Sequence, residues 1–172
     1  AAGNTYTGST TVTSGVLTIG PAGSLSGTAP LIVANGAEVR LGNDFEVGSI
    51  SGSGTINLGS LPNQYRLTAG GDNSSTNFSG VMSGTGSLSK AGSGTMTLSG
   101  ANTYTGATNV NAGKLSVSCG LADTTAVTVA SGATYALGAD DAIGSVAGAG
   151  NVELSSHGLT AGGSGTDTVF GG

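Results

Sequence analysis

A single histidine, His157, is the one side chain of this sequence that suits general-base chemistry near neutral pH. A serine hydrolase would need such a base beside a nucleophile and an orienting acid. No G-x-S-x-G elbow occurs, because GSLSG and GSISG place Leu25 and Ile50 where the serine should be. His157 lies in the turn-like stretch SSHG, so we expect an exposed turn histidine, no catalytic residue and no enzyme.

Asp140 and Asp141, in LGADDAIG, form the one adjacent acidic pair. Paired carboxylates can transfer protons or contact a cation. Neighbouring strand residues face opposite sides, however, and this stretch resembles a turn, so a solvated turn is favoured over a weak cation contact. Residues 162–170 fit a calcium-binding nonapeptide, which needs successive copies, and the corresponding residues 70–78 lack the pattern. We expect no metal site and no cofactor.

Charge and cysteine content exclude further classes of protein. The formal net charge is −5, and the only cations are four scattered residues, Arg40, Arg66, Lys90 and Lys114. These cannot neutralise a run of phosphates, so nucleic acid is not an expected partner. No apolar run approaches the roughly 20 residues of a membrane-spanning helix. Cys119 is alone, which rules out an internal disulfide and indicates a small buried hydrophobe or an inert turn thiol.

The elements that would carry these residues are short strands. Segments such as GVLTIG, AEVRLG and GTMTLSG alternate apolar with small or polar residues and end in glycine. Period-two alternation is typical of a strand with one buried face, and glycine suits tight turns. No helical stripe of useful length occurs. An antiparallel sandwich or barrel and a parallel solenoid both fit this pattern.

Internal repetition favours the solenoid. Residues 3–19 match 101–117, and 31–42 match 127–138, so the chain divides into two degenerate supra-repeats, at about 1–98 and 99–172. Because each coil of a solenoid contacts only its neighbours, short insertions are tolerated. We predict one all-β domain over 1–172, a parallel β-helix (solenoid) of about eight coils.

One insertion distinguishes the two copies. Eight residues (59–66) join Leu58 to Leu67, whereas four (155–158) join Leu154 to Leu159. Loops on a rigid scaffold often carry binding, and tyrosine and arginine are enriched at binding hot spots. The candidate binding loop is therefore formed by Asn63, Gln64, Tyr65 and Arg66, with a harmless variation in length as the alternative.

Residues 84–115, GTGSLSKAGSGTMTLSGANTYTGATNVNAGKL, resemble the passenger-associated repeat of bacterial autotransporters (type V secretion). Met96 departs from the usual leucine, and residues 3–17 match the second half of the pattern. The resemblance gives a structural role to the pattern residues, namely Gly92, Gly94, Leu98, Gly100, Asn102, Tyr104, Gly106, Val110, Gly113 and Leu115. Tyr6 and Tyr104 occupy equivalent positions, which indicates a structural role for both.

The resemblance implies a right-handed parallel β-helix at the bacterial cell surface or secreted, exported through the periplasm and outer membrane. Membrane attachment would require a C-terminal β-barrel that this chain does not contain, so we expect an excerpt of a longer passenger. The expected function is adhesion or self-association, with a host-cell surface or matrix component, or another copy, as partner. The alternative is a stem that promotes folding and secretion of an effector domain elsewhere. A β-helical enzyme would need clustered carboxylates, which the sequence does not indicate.

Overall fold

The computed structural model describes residue 4 and residues 6–21, 23–163 and 171. Within them the chain forms 22 short strands, numbered β1 to β22 in chain order, and winds through about eight stacked coils. A complete coil contributes one strand to each of three parallel sheets, which we call faces A, B and C in the order in which the chain visits them. None of the described residues forms a helix long and apolar enough to cross a membrane.

Face A contains one strand from each coil. Its eight strands are β1 (Thr10–Val12), β3 (Leu31–Val33), β6 (Ile50–Gly52), β11 (Thr76–Phe78), β14 (Thr95–Leu98), β16 (Lys114–Val117), β18 (Thr134–Leu137) and β21 (Asn151–Glu153). Face B has four strands, β2 (Gly15–Ile19), β4 (Ala37–Leu41), β7 (Thr55–Asn57) and β12 (Val81–Ser83).

Face C has six strands, β5 (Phe45–Val47), β10 (Arg66–Ala69), β13 (Ser87–Lys90), β15 (Thr108–Val110), β17 (Ala126–Val129) and β20 (Ser145–Gly148). A further parallel pair is formed by β19 (Asp141–Ile143) and β22 (Leu159–Ala161). Each comes directly after a face A strand, which is the position that face B strands occupy in the earlier coils. The one antiparallel pairing within the described residues is a hairpin of β8 (Gly59–Ser60) and β9 (Asn63–Gln64). The predicted parallel solenoid of about eight coils is thereby confirmed, and the antiparallel alternative was wrong.

Stacked side-chain ladders form the core. In face A, Phe78, Leu98, Val117 and Leu137 occupy the same register position on consecutive strands, and all are buried. Parallel strands lie about 4.8 Å apart, so equivalent residues of successive coils meet directly. The alternation seen in the sequence thus places one apolar row of every strand inside the solenoid.

The two supra-repeats place equivalent strands on different faces. Strand β1 lies in face A, but its counterpart β15 lies in face C, and β4 of face B corresponds to β18 of face A. Strand β15 immediately precedes the sixth strand of face A, so the copies are separated by about four and two-thirds coils. The second copy is therefore turned by one face relative to the first.

Candidate binding site

The insertion at 59–66 folds as a hairpin that projects from the corner between faces B and C. Gly59 pairs with Gln64 and Ser60 with Asn63. The tip is formed by Leu61 and Pro62, which are joined by a cis peptide bond, and Leu61 is 71% exposed. The hairpin is thus an excursion outside the stacked coils.

The four candidate loop residues lie side by side at the base of this hairpin. Asn63 and Gln64 form β9 and are exposed, Tyr65 is half-buried, and Arg66 begins β10 and is exposed. The structure therefore places these residues together at the surface of the solenoid, with Tyr65 also packed against its core. Binding by this surface stays a prediction.

Tyr65 is held by its backbone and by the packing of its ring. Its N–H donates to the Leu58 carbonyl at 3.1 Å, and its carbonyl accepts from the Ser87 N–H at 2.9 Å. The ring lies against Gly59, where an added Cβ would come within 2.8 Å of the Tyr65 Cδ2. The hairpin therefore joins the solenoid in one fixed orientation.

The charged residues beside the hairpin are paired. Asp44 accepts a hydrogen bond from the backbone N–H of Arg66 at 2.8 Å, and its second oxygen lies 3.4 Å from the Arg66 guanidinium. The Arg40 guanidinium donates twice to Glu38, at 2.7 and 2.9 Å. This hydrogen bonding, assisted by the Glu38 charge, raises the pKa of Arg40. The site thus holds two guanidinium groups whose charges are already compensated.

Three shallow grooves border the hairpin. A groove of about 360 Å³ between Arg40 and Tyr65 includes Asn57 and Asn63. A second, of about 330 Å³, lies on the other side of Tyr65 and is lined by Asp44, Gln64 and Arg66, among others. A third, of about 240 Å³, shares Asp44 and Arg66 with the second and continues to Glu46 and Thr68. The first and second grooves meet at Tyr65, and the second and third meet at Asp44 and Arg66; we call this series of grooves the track.

The pattern residues of 84–115 lie where coils stack, and one of them, Gly106, also lines the second groove. Leu98, Val110 and Leu115 are fully buried rungs of the ladders. Gly100 lies against the Gly80 carbonyl, and an added Cβ would come within 1.9 Å of that oxygen. At four more pattern glycines an added Cβ would meet backbone atoms of the preceding coil in the same way, namely Gly92, Gly94, Gly106 and Gly113.

Asn102 occupies the open edge of face B. Its side-chain oxygen accepts a hydrogen bond from the Met82 N–H at 3.0 Å, and its amide group donates to the Gly100 carbonyl at 2.8 Å. The described residues contain no face B strand between β14 and β15. The asparagine side chain therefore satisfies a backbone donor of β12 that a strand would otherwise have paired.

Tyr104 and Thr108 share a hydrogen bond of 2.7 Å between their hydroxyl groups in the core. The equivalent Tyr6 and Thr10 make the same contact at 2.5 Å, although Tyr6 is 38% exposed. Burial raises the pKa of Tyr104, while the bond to Thr108 opposes that shift. The contact recurs although the two copies lie on different faces, so it belongs to the local motif.

Lys90 is fully buried, a placement that sequence reasoning missed. Its ammonium group donates to the carbonyl oxygens of Ala91, Gly92 and Ala112, at 2.5, 2.8 and 3.2 Å. Burial lowers the pKa of Lys90, and the charge of Asp72 opposes this. The sequence did hold a signal for this burial. In SLSK, Lys90 is two residues after Leu88, so both side chains face the same side of the strand.

The expectation that Asp140 and Asp141 form a solvated turn was wrong for Asp141. Asp141 begins β19, is buried, and accepts hydrogen bonds from the Tyr135 hydroxyl at 2.8 Å and the Leu121 N–H at 3.0 Å. Burial, then the nearby Asp141 carboxylate, raises the pKa of Tyr135. Asp140 is exposed and accepts from the Gly158 N–H at 2.8 Å. Alternation explains the split, since adjacent strand residues face opposite sides.

The remaining residues singled out for chemistry are His157 and Cys119. His157 is half-buried, not exposed as expected, and its ring lies 3.7 Å from the exposed Asp140 carboxylate. Cys119 is exposed and its thiol donates to the Ser99 carbonyl at 3.2 Å, which fits the turn thiol and not the buried hydrophobe. No group of three metal-ligating side chains occurs in the part of the chain that the structure describes. Most of the calcium-like stretch, 164–170, lies outside the described residues.

The comparisons with known proteins agree with the repeat architecture. A family model described as the passenger-associated-transport-repeat matches residues 1–19 and 88–117. The two segments contain the equivalent tyrosines Tyr6 and Tyr104, and the second also contains Lys90 and Asn102. No curated protein and no solved structure matches the chain significantly.

Proposed function

The chain carries passenger-associated transport repeats on a parallel β-solenoid, and from this premise we propose that it is a non-enzymatic segment of an autotransporter passenger. In this proposal it is exported through the periplasm and outer membrane, and it acts at the cell surface or after release. Its role there is adhesion or self-association, with the solenoid as a rigid support for an adhesive feature. The partner is a component of the host-cell surface or matrix, or another copy of the passenger.

The hairpin at 59–66 is the observation that carries this proposal. It breaks an otherwise regular stack, its polar side chains are exposed, and grooves border it on both sides. The stacked coils beneath it are buried and rigidly paired. A protruding element with free polar groups on a rigid support is the usual arrangement of a binding loop.

The second supra-repeat supplies the test, because its equivalent segment, 155–158, joins two strands with four residues. Bacteria displaying the passenger would be compared with a variant in which 59–66 is replaced by SSHG, the sequence of 155–158. We expect equal surface display, measured by antibody labelling, together with loss of host-cell attachment or of cell clumping. Undiminished attachment and clumping at equal display would overturn the adhesive role of the hairpin.

A second function, a stem that assists folding and secretion, is favoured by the placement of the repeat residues. Lys90, Asn102 and Tyr104 each share a hydrogen bond with a neighbouring coil, and none is exposed. For this function, Asn102→Ala should reduce the amount of passenger at the surface more than the hairpin replacement does. Equal display of the two variants would contradict the stem.

A further inference from the structure

We propose that the grooves on either side of Tyr65 bind a neutral oligosaccharide. The inference rests on the proposed function, since it names the ligand class of the adhesive hairpin. The site runs from Arg40, past Tyr65, to Arg66. Nothing in the repeat motif itself requires this site, because the hairpin is specific to the first copy.

The shape of the track suits an extended chain of small units. Tyr65 lines both of the larger grooves, and Asp44 and Arg66 connect the second groove to the third. Each larger groove is at the lower end of the size range of small-molecule sites, roughly 300 Å³ and upward. Gly86 and Gly106 line part of the second groove, and neither has a side chain that would fill it. A linear oligosaccharide could place successive rings on the two sides of Tyr65.

The charge at the site favours a ligand without charge. Both guanidinium groups are paired with carboxylates, at 2.7 Å for Arg40 and 3.4 Å for Arg66. The third groove adds the exposed carboxylate of Glu46. The surroundings are thus neutral to slightly negative, and a sulfated or sialylated glycan would meet repulsion without a free cation to bind.

The polar groups at the site match the hydroxyl groups of a sugar. Ser60, Asn63 and Gln64 are exposed and make no side-chain hydrogen bond within the described residues. Amides and hydroxyls both donate and accept, as sugar hydroxyls do. Asn57 already accepts from the Gly59 N–H at 2.9 Å, which fixes the direction of its amide group. The aromatic ring of Tyr65 supplies the apolar surface against which the C–H face of a sugar can pack.

A protein partner fits these residues less well. Protein-binding hot spots centre on clusters of buried aromatic and apolar anchors. Leu61 is the one exposed large apolar residue of the hairpin, and it lies at the tip, away from the groove linings. The walls of the grooves are formed mainly by polar side chains and glycine.

The experiment measures binding of defined sugars to the 172-residue chain by saturation-transfer NMR and titration calorimetry. The probes are maltohexaose, cellohexaose, laminarihexaose and mannohexaose, with a heparin hexasaccharide as the anionic comparison. We expect at least one neutral probe to bind, and to bind more tightly than the heparin fragment. Tyr65→Ala should weaken that binding about tenfold, through loss of one aromatic contact. Tyr6→Ala, the same change at an exposed tyrosine in the first coil, should leave it unaltered.

Three results would overturn the proposal: no neutral probe binds, the heparin fragment binds best, or Tyr65→Ala binds as tightly as the unaltered chain. The outcome is separable from that of the adhesion assay. If the hairpin replacement abolishes attachment but no neutral sugar binds, the adhesive function stands and its ligand is a protein. If sugar binds at Tyr65 but attachment survives the replacement, the sugar site stands and the adhesive function fails.

Discussion

Asn102 accepts a hydrogen bond from the backbone N–H of Met82 at 3.0 Å, so a side-chain amide completes the edge of face B where the next coil has no strand. An unpaired strand edge is a hazard, because its free N–H and C=O groups can pair with another chain. The Thr103 N–H donates to the Met82 carbonyl at 2.8 Å, so both backbone groups of Met82 are satisfied. The asparagine of the repeat motif thereby ends one sheet while the other two continue.

Asn102→Ala should lower the free energy of unfolding by about 1–3 kcal/mol, since the buried Met82 N–H loses its acceptor. Urea unfolding followed by circular dichroism would measure this. Asn109→Ala, at an outward-facing position of β15, is the matched control and should change stability by less than about 0.5 kcal/mol. Equal effects of the two substitutions would show that the edge bond contributes nothing.

Gly100→Ala should prevent the normal stacking of two coils. The added Cβ would lie 1.9 Å from the Gly80 carbonyl oxygen, which belongs to the paired backbone of the preceding coil and cannot move aside as a flexible side chain could. We expect destabilisation by more than about 3 kcal/mol, as for severe overpacking. Gly20→Ala is the matched control, because nothing lies within 4 Å of a Cβ at Gly20. Thermal unfolding would compare the two, and a stable Gly100→Ala chain would contradict the close approach.

Much of the fold was predictable from local pattern. The alternation in GTMTLSG places Met96 and Leu98 inside, and the similarity of 3–19 to 101–117 indicates stacked copies. The alternation depends only on neighbouring residues, and the similarity is visible by comparing two segments of the sequence, so neither signal requires tertiary information.

The rotation between copies could not be predicted, because it depends on the sum of all the coil lengths. Successive strands of face A are offset by 21, 19, 26, 20, 19, 20 and 17 residues. Small differences of this kind move β15 to face C although its sequence matches β1 of face A. Sequence similarity therefore identified equivalent strands but not their faces.

The candidate site was predictable only as an insertion. The length difference between 59–66 and 155–158 indicates a loop, and its tyrosine and arginine indicate binding. Arg40 and Glu38 are two residues apart on one strand, so alternation alone places them on the same side. Arg66 and Asp44 belong to neighbouring coils, and their pairing depends on register, which the sequence does not fix in the presence of an insertion.

Lys90→Met should destabilise the chain at neutral pH, because three buried carbonyl oxygens lose their donor. The size of this loss should depend on pH. Burial lowers the pKa of Lys90 in the folded chain below its value of 10.5 in the unfolded chain, so the unfolded state binds more protons over that interval. The folded state then gains stability as the pH rises toward about 10.5.

The measurement is the difference in unfolding free energy between the unaltered chain and Lys90→Met, from about pH 8 to about pH 10.5. All other titratable side chains are common to the two chains, so the difference isolates Lys90. We expect the difference to grow in favour of the unaltered chain as the pH rises. A difference that shrinks over this interval would mean that the three carbonyl bonds outweigh burial and raise the pKa of Lys90.

Tyr135→Phe tests the buried contact with Asp141 and has the opposite dependence on pH. Burial and the Asp141 carboxylate raise the pKa of Tyr135 in the folded chain, so its stabilising contribution is fully present below the ordinary tyrosine value of about 10. Above that value the unfolded chain releases the proton and the folded chain keeps it, so stability falls as the pH rises.

Removing the hydroxyl leaves Asp141 with its bond from the Leu121 N–H, at 3.0 Å, but without its second donor. We therefore expect Tyr135→Phe to cost about 1–3 kcal/mol at pH 7 and to make alkaline unfolding, followed by circular dichroism, less steep. An unchanged steepness would assign the alkaline transition to the other tyrosines, and an unchanged stability at pH 7 would show that the buried carboxylate does not need this hydroxyl.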